Sequence, residues 1–538
     1  MPKHESAALT EPTPAPDSSA MFTAPVQLPP VQRKLVTLGV ITGLFLGALE
    51  GTVVGTAMPT VVARLGGIDI YSWVFSIYLL TSTVTMPVWG KLSDLYGRRR
   101  FYLIGIGLFM LGSALSGQAS SMVELITCRA IQGLGAGALV PLGLTIIGDI
   151  YSLAERSRMQ GLFSGVWGVA SLIGPLVGGL ITEHISWRWV FYINIPFGLA
   201  AATIIGLTLK EPPIGKQARL DIKGVISFAA SMTLLLLAMM KGGRGESWNS
   251  PAILSMFLAS AVALVLFIVW ERAAQEPIIP LTLLQENRLF FAGSLNGFLA
   301  GMAMFGTMSF IPLYVQGVLG TSATKAGVVL IPLTFGWTTF SIISSRLLLR
   351  VGYRPLVITG MISLVAGFLL LVRLNPTTPW ALICADVFLI GVGMGLSVVT
   401  MTIAVQNSVP RHYMGIATSA ITFFRIIGGM IAVAIMGTVM IHRLRAYQAT
   451  LSSVPTIHSG DIARLLEHPD ALIDPLARAH LSQPVLTAVQ SALADALGGV
   501  FWVGLIVSLL AFLSAFLVPK GKAHELAIKR EAVAPAGE

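Results

Sequence analysis

The chain has 538 residues, 54% hydrophobic and 11% charged, with a mean hydropathy of +0.79. No soluble globular domain has that balance, so it reads as a polytopic membrane protein. The net charge of +10 fits basic loops facing anionic lipid better than a nucleic-acid surface, and Cys128 and Cys384, both inside apolar runs, form neither a disulfide framework nor a zinc spacing.

Residues 1–32 are rich in Pro, Ala, Ser and Thr with no apolar core of signal-peptide length, and are expected to be a disordered cytoplasmic tail. Apolar runs of about 20 residues, the length a bilayer requires, follow near 35–58, 71–90, 101–118, 122–148, 160–182, 189–209, 224–240, 251–270, 289–314, 326–345, 355–372, 379–407, 414–440 and 497–518. The expectation is therefore an all-α polytopic membrane protein with fourteen transmembrane helices. An even number places both termini on one side. With the termini inside, 23 of the 35 Lys and Arg residues lie inside and 10 outside, so both termini are expected to be cytoplasmic. The long loop 442–495 is external and the tail 519–538 internal. No Asn-x-Ser/Thr sequon occurs, which favours a bacterial inner membrane.

Four groups of residues stand out along this frame. In the first span, Glu50 lies about 22 Å above the cytoplasmic end at 1.5 Å per residue, and a carboxylate at that depth marks an ion or substrate path. In the fourth, Arg129 lies roughly 18 Å above the same face, so it shares Glu50's depth; Gly133, Gly135 and Gly137 follow it and permit close helix contact. Between the second and third spans runs Gly90-Lys-Leu-Ser-Asp94-Leu-Tyr-Gly97-Arg98-Arg99-Arg100, a cationic turn with one acid between two glycines. The fifth span carries Gly165, Gly168, Gly174-Pro175 and Gly178-Gly179. In the second half Asp386 and Arg425 lie at nearly equal depth and are proposed as a second acid and base pair. Trp187-Arg188-Trp189 and Asn194-Ile195-Pro196 read as interfacial anchoring of the sixth span.

The pattern repeats. Gly97 and Arg99 recur as Gly352 and Arg354 at an offset of 255, and Gly133, Gly135 and Gly137 as Gly391, Gly393 and Gly395 at 258. Two homologous halves are expected, an N-terminal six-helix bundle (33–210) and a C-terminal one (289–518), separated by a two-helix insert with its linkers (211–288). Leu349 stands where the first turn has Asp94, so only the N-terminal turn has an acid.

The turn resembles the signature of the major facilitator superfamily, and the six-two-six plan resembles its 14-span drug:proton antiporter branch, over nearly the whole chain apart from the tails. That resemblance implies a carboxylate in a helix-1 motif, here Glu50. It also implies that Gly90, Asp94, Gly97, Arg98 and Arg99 form a conformational switch, in which Asp94 meets the cytoplasmic end of the thirteenth helix, and that Gly174, Pro175, Gly178 and Gly179 form an antiporter motif that seals and pivots between the halves. The expected function is proton-coupled export of lipophilic or cationic drugs and toxic compounds by alternating access; the alternative is a secondary uptake carrier for a small organic solute. A phosphate loop for ATP is absent from the sequence, and no nucleophile, base or metal set converges. The expected partners are a small-molecule substrate, protons and membrane lipid, without nucleic acid, cofactor or metal.

Overall fold

The computed structural model describes residues 28–67, 70, 73–211, 221–243, 246–274, 276–279, 281–321, 323–451 and 483–521. Most of the expected terminal tails (1–27 and 522–538), the centre of the linker 210–223 and most of the loop 442–495 lie outside these residues. Among them there is no strand, and the long helices are α1 (Pro30–Leu65), α2 (Trp73–Tyr96), α3 (Arg98–Gln118), α4 (Met122–Ile150), α5 (Leu153–His184), α6 (Trp189–Thr208), α7 (Ile222–Gly243), α8 (Pro251–Ala273), α9 (Arg288–Leu313), α10 (Ile331–Val351), α11 (Tyr353–Leu371), α12 (Trp380–Ser408), α13 (Met414–Leu451) and α14 (Gln483–Ser514).

Thirteen helices among the described residues are long and apolar enough to cross a membrane, one fewer than the fourteen expected. The difference is α2. Its 24 residues span about 36 Å, but Thr81, Ser82, Thr83 and Thr85 in its middle and Lys91 and Asp94 near its end lower its hydropathy. Those hydroxyls are turned back on the helix's own carbonyls, as Thr83 Oγ1 is on Leu79 O at 2.6 Å, which satisfies them without water.

Helix ends are set by local chemistry. Ser121 caps α4 by accepting from the backbone N–H of Glu124, Ser152 and Glu155 close a capping box on α5, and Asn287 caps α9. Gly97 (φ +105°) and Gly352 (φ +87°), 255 positions apart, each turn the chain between consecutive helices in a conformation that L side chains resist.

Helices α1 to α6 pack on one another, as do α9 to α14, around separate apolar clusters. The glycine repeats fix equivalent approaches in the two groups. A methyl on Gly133 or Gly137 would stand 2.6 Å from a carbonyl of α2 (Tyr78 or Ser82), and one on Gly135 would meet the backbone of α3. In the second group Gly391 and Gly395 abut α10, while Gly393 lies against Gly360 of α11. With no hydrophobic driving force between helices in lipid, such close backbone contact is what holds them.

The two groups meet along two seams, α2 against α13 and α5 against α10. The insert covers only the first: Phe228, Met232 and Leu236 of α7 bury against Leu80, Val84, Ile416, Phe423 and Ile427 of α2 and α13.

Candidate functional site

At mid-depth in the first group, four helices converge on one carboxylate. Glu50 of α1 and Arg129 of α4 are 1% and 2% exposed and form an ion pair, so the two residues expected to share a depth do touch. Arg129 also donates to Gln132 Oε1 at 2.6 Å and to Val74 O at 3.2 Å, and its guanidinium lies 4.1 Å over the Tyr78 ring. The second carboxylate oxygen, Oε2, accepts from Asn194 Nδ2 at 2.5 Å. That amide also donates to Ser113 Oγ at 2.9 Å, and Ser113 Oγ in turn donates to Phe191 O. Each donor offsets part of the desolvation that burying the acid entails. Gly51 and Gly55, one and five residues after Glu50, have nothing within 4 Å of where a Cβ would stand, so open space adjoins this part of α1 while the carboxylate itself is buried.

Asn194 is a correction to the sequence reading, which assigned it to interfacial anchoring. α6 is interrupted at Ile193, and Asn194, 1% exposed, turns inward to Glu50. Counting from the cytoplasmic ends of the expected spans would have found it, because Glu50 and Asn194 each lie 15 residues in. Tyr78 carried no signal beyond its apolar setting.

A second network closes the seam at the end of the bundle that carries Arg98, Arg156 and Arg411, hereafter the basic end. Asp94 accepts from Gly415 N at 2.9 Å and from Ile416 N at 2.7 Å, at the first turn of α13, where the helix dipole favours an anion. Arg98 pairs with Asp94, donates to Asp149 Oδ2 at 3.0 Å and reaches Arg411 O at 3.3 Å. Gly90 and Gly415 make the approach possible: a Cβ on Gly90 would stand 2.5 Å from Ser419 Oγ, and one on Gly415 2.6 Å from Asp94 Oδ1. Arg99 takes no part in the seam. Its backbone N–H donates to Glu211 Oε1 at 3.0 Å and its guanidinium to Gly206 O, holding the end of α6; burial pushes the Glu211 carboxyl up, against the backbone donors Arg99 and Arg98. Lys91, 2% exposed, pairs with Glu276 at 2.8 Å, tying α2 to the segment after α8.

Two further bonds cross the seam, and sequence reading missed both. Arg411, just before α13, donates to Asp149 Oδ1 at 3.2 Å, and Arg156 of α5 donates to Asn407 Oδ1 at 3.0 Å. Asp149 and Asn407 are 258 positions apart, and Arg156 and Arg411 are 255 apart. The same offsets relate the glycine motifs, so each group receives an arginine from the other at equivalent places.

The helix-5 motif is placed differently from expectation. Gly174 abuts Thr52 and Gly178 abuts Thr56 and Val53 O, so both glycines seat α5 on α1 within one group, and Thr52 Oγ1 donates to Ala170 O at 3.3 Å. Pro175 is exposed, and Gly179 faces open space. Contact of α5 with α10 comes nearer the basic end, where Thr338 Oγ1 donates to Ser164 O at 3.3 Å and Gly161 lies against Ile342.

Asp386 and Arg425 do not form the proposed pair: neither side chain makes a hydrogen bond or ion pair with another of the described residues. Equal depth fixes one coordinate only. The backbone of Asp386 lies against Gly367 of α11 and that of Arg425 against Gly301 of α9, on different sides of the second group.

The sequence pattern of the Major Facilitator Superfamily matches residues 40–433. The multidrug transporter protein MdtP of Bacillus subtilis (strain 168) is 36% identical over 506 residues, covering 91% of this chain and 93% of that protein. Multidrug resistance protein 3 of the same organism is 34% identical over 490 residues, covering 91% and 96%. In fold, the human organic anion transporter MFSD10 (TETRAN) superposes with a TM-score of 0.57 at 15% identity over 89% of this chain and 100% of that chain. With its membrane helices, glycine repeats and basic turn, the chain belongs to the Major Facilitator Superfamily.

Proposed function

We propose that the protein is a proton-coupled antiporter that exports lipophilic or cationic compounds by alternating access, with the basic end and both termini in the cytoplasm. The observation that carries this reading is one buried carboxylate, Glu50, paired with Arg129 inside the first helix group while the basic end is shut. A carrier shut at its cytoplasmic end is poised to open outward, the state in which an antiporter takes up its proton from outside. Protonation of Glu50 removes the charge that holds Arg129 and frees the guanidinium for new partners. The change in pairing couples proton occupancy to the preferred orientation, provided that substrate favours the other protonation state. The names of the relatives, multidrug transporters and efflux pumps, support the direction and the breadth of substrate. One proton entering down about 100 mV and one pH unit releases roughly 3.7 kcal/mol, enough for a several-hundredfold gradient of a neutral compound.

The test is transport in proteoliposomes with an imposed pH gradient, read with a fluorescent lipophilic cation. Accumulation should require the gradient and collapse when a protonophore is added. Accumulation that is unaffected by the protonophore would overturn proton coupling, and movement of substrate in the same direction as the proton would favour an uptake carrier.

A further inference from the structure

The geometry points to a binding site for an anionic phospholipid in the leaflet at the basic end, on the seam between α5 and α10. Of the two seams between the helix groups, the insert covers α2 and α13 and leaves this one bare. A cavity of about 770 Å³ opens there, walled by α1, α5 and α6 on one side and by α10 on the other. Its upper lining is apolar, with Phe45, Leu162, Val169 and Phe197; Leu162 and Val169 are 46% and 50% exposed. Its lower lining carries two cations, Arg158 of α5 and Arg346 of α10, both exposed and neither with a hydrogen bond or ion pair to another described residue.

The dimensions match one leaflet. Arg158 is five residues from the start of α5 and Arg346 five from the end of α10, so the two guanidinium groups belong to one level, about 7.5 Å from the helix ends. From Arg158 to Val169 the groove rises about 16 Å, half of a hydrocarbon core of about 30 Å. Two convergent arginines at headgroup level suit a phosphodiester, to which guanidinium binds by paired hydrogen bonds. An exported cation, in contrast, would be repelled by them. The lipid's headgroup would touch one arginine from each group, so its occupancy favours the arrangement in which this seam is shut.

The experiment is lipid retention on the full-length protein, purified in detergent and supplied with phosphatidylglycerol or phosphatidylcholine, with bound lipid counted by native mass spectrometry. The parent should retain phosphatidylglycerol over phosphatidylcholine. Arg158→Gln with Arg346→Gln should weaken retention roughly 30-fold, at about fivefold per basic residue near an anionic headgroup. Leu162→Trp, which fills the groove without changing charge, should lose it as well. Arg350→Gln, one turn from Arg346 but outside the lining, should retain lipid as the parent does. Equal retention of the two lipids, no effect of the double variant, or an equal loss in Arg350→Gln would overturn the site. Displacement of bound lipid by water-soluble glycerophosphoglycerol would show a site for a free phosphodiester and overturn the lipid assignment.

Discussion

Asn194 grips Glu50 from the side opposite Arg129, its amide 2.5 Å from Oε2 while the guanidinium holds Oε1. One carboxylate is thus shared between α4 and α6, and any change in its charge is felt by both helices. Replacing Glu50 by Gln keeps the size and removes the charge. Glu50→Gln should bind substrate and lose pH-driven efflux, whereas Glu50→Asp should keep part of it. Uphill transport by the Gln variant at the parent rate would place the coupling proton elsewhere, with the buried Asp386 as the next residue to substitute.

Asn194→Asp would set a second carboxylate against the first. Like charges at hydrogen-bonding distance repel, and the one guanidinium at hand already holds Glu50. The variant should therefore unfold at a lower temperature in detergent than the parent. A melting curve that coincides with the parent's would mean that residue 194 does not face Glu50.

Asp94→Asn should impair transport and leave membrane insertion intact, since Lys91 and Arg98 to Arg100, which set the topology, remain. Hydrogen bonds to a charged group are worth about 1.5–3 kcal/mol each, so loss of one shifts the shut and open populations of the basic end roughly 10- to 150-fold. Spin-label distances across α2 and α13 would report it. An unchanged distance distribution with full transport would remove Asp94 from the gate.

Gly174→Ala and Gly178→Ala should each destabilise the protein by about 1–3 kcal/mol through overpacking, because their methyls would meet Thr52 and Thr56. Gly179→Ala, facing open space, should behave as the parent does. Thr52→Ala should partly rescue Gly174→Ala. Thermal unfolding in detergent ranks the four; an equal loss at Gly174 and Gly179 would mean that α5 sits differently on α1.

Much of this arrangement was readable from residue positions along the axis. Rise per residue put Glu50 and Arg129 at one level, and glycine spacing announced the repeat that Gly97 and Gly352 share in their backbone angles. What depth could not supply was rotation about the helix axis. Asp386 and Arg425 agree in depth yet lie on different sides of their group. Asn194, whose depth did agree with that of Glu50, was hidden by its aromatic neighbours. The Asp149 and Asn407 crossings were missed for another reason: each lies at the last turn of an apolar run, where a polar residue looks like ordinary helix termination.

Those crossings make the seam an isologous contact carried within a single chain. In a symmetric dimer one substitution would alter both crossings at once, and the gate could only strengthen or weaken as a whole. Here Asp149 forms ion pairs with Arg98 and Arg411 whereas Asn407 is a neutral acceptor for Arg156, so one crossing is screened by salt and the other much less. Covalent union of the two halves has thereby let one crossing be charged and the other neutral, so the two contacts of the seam can be altered one at a time.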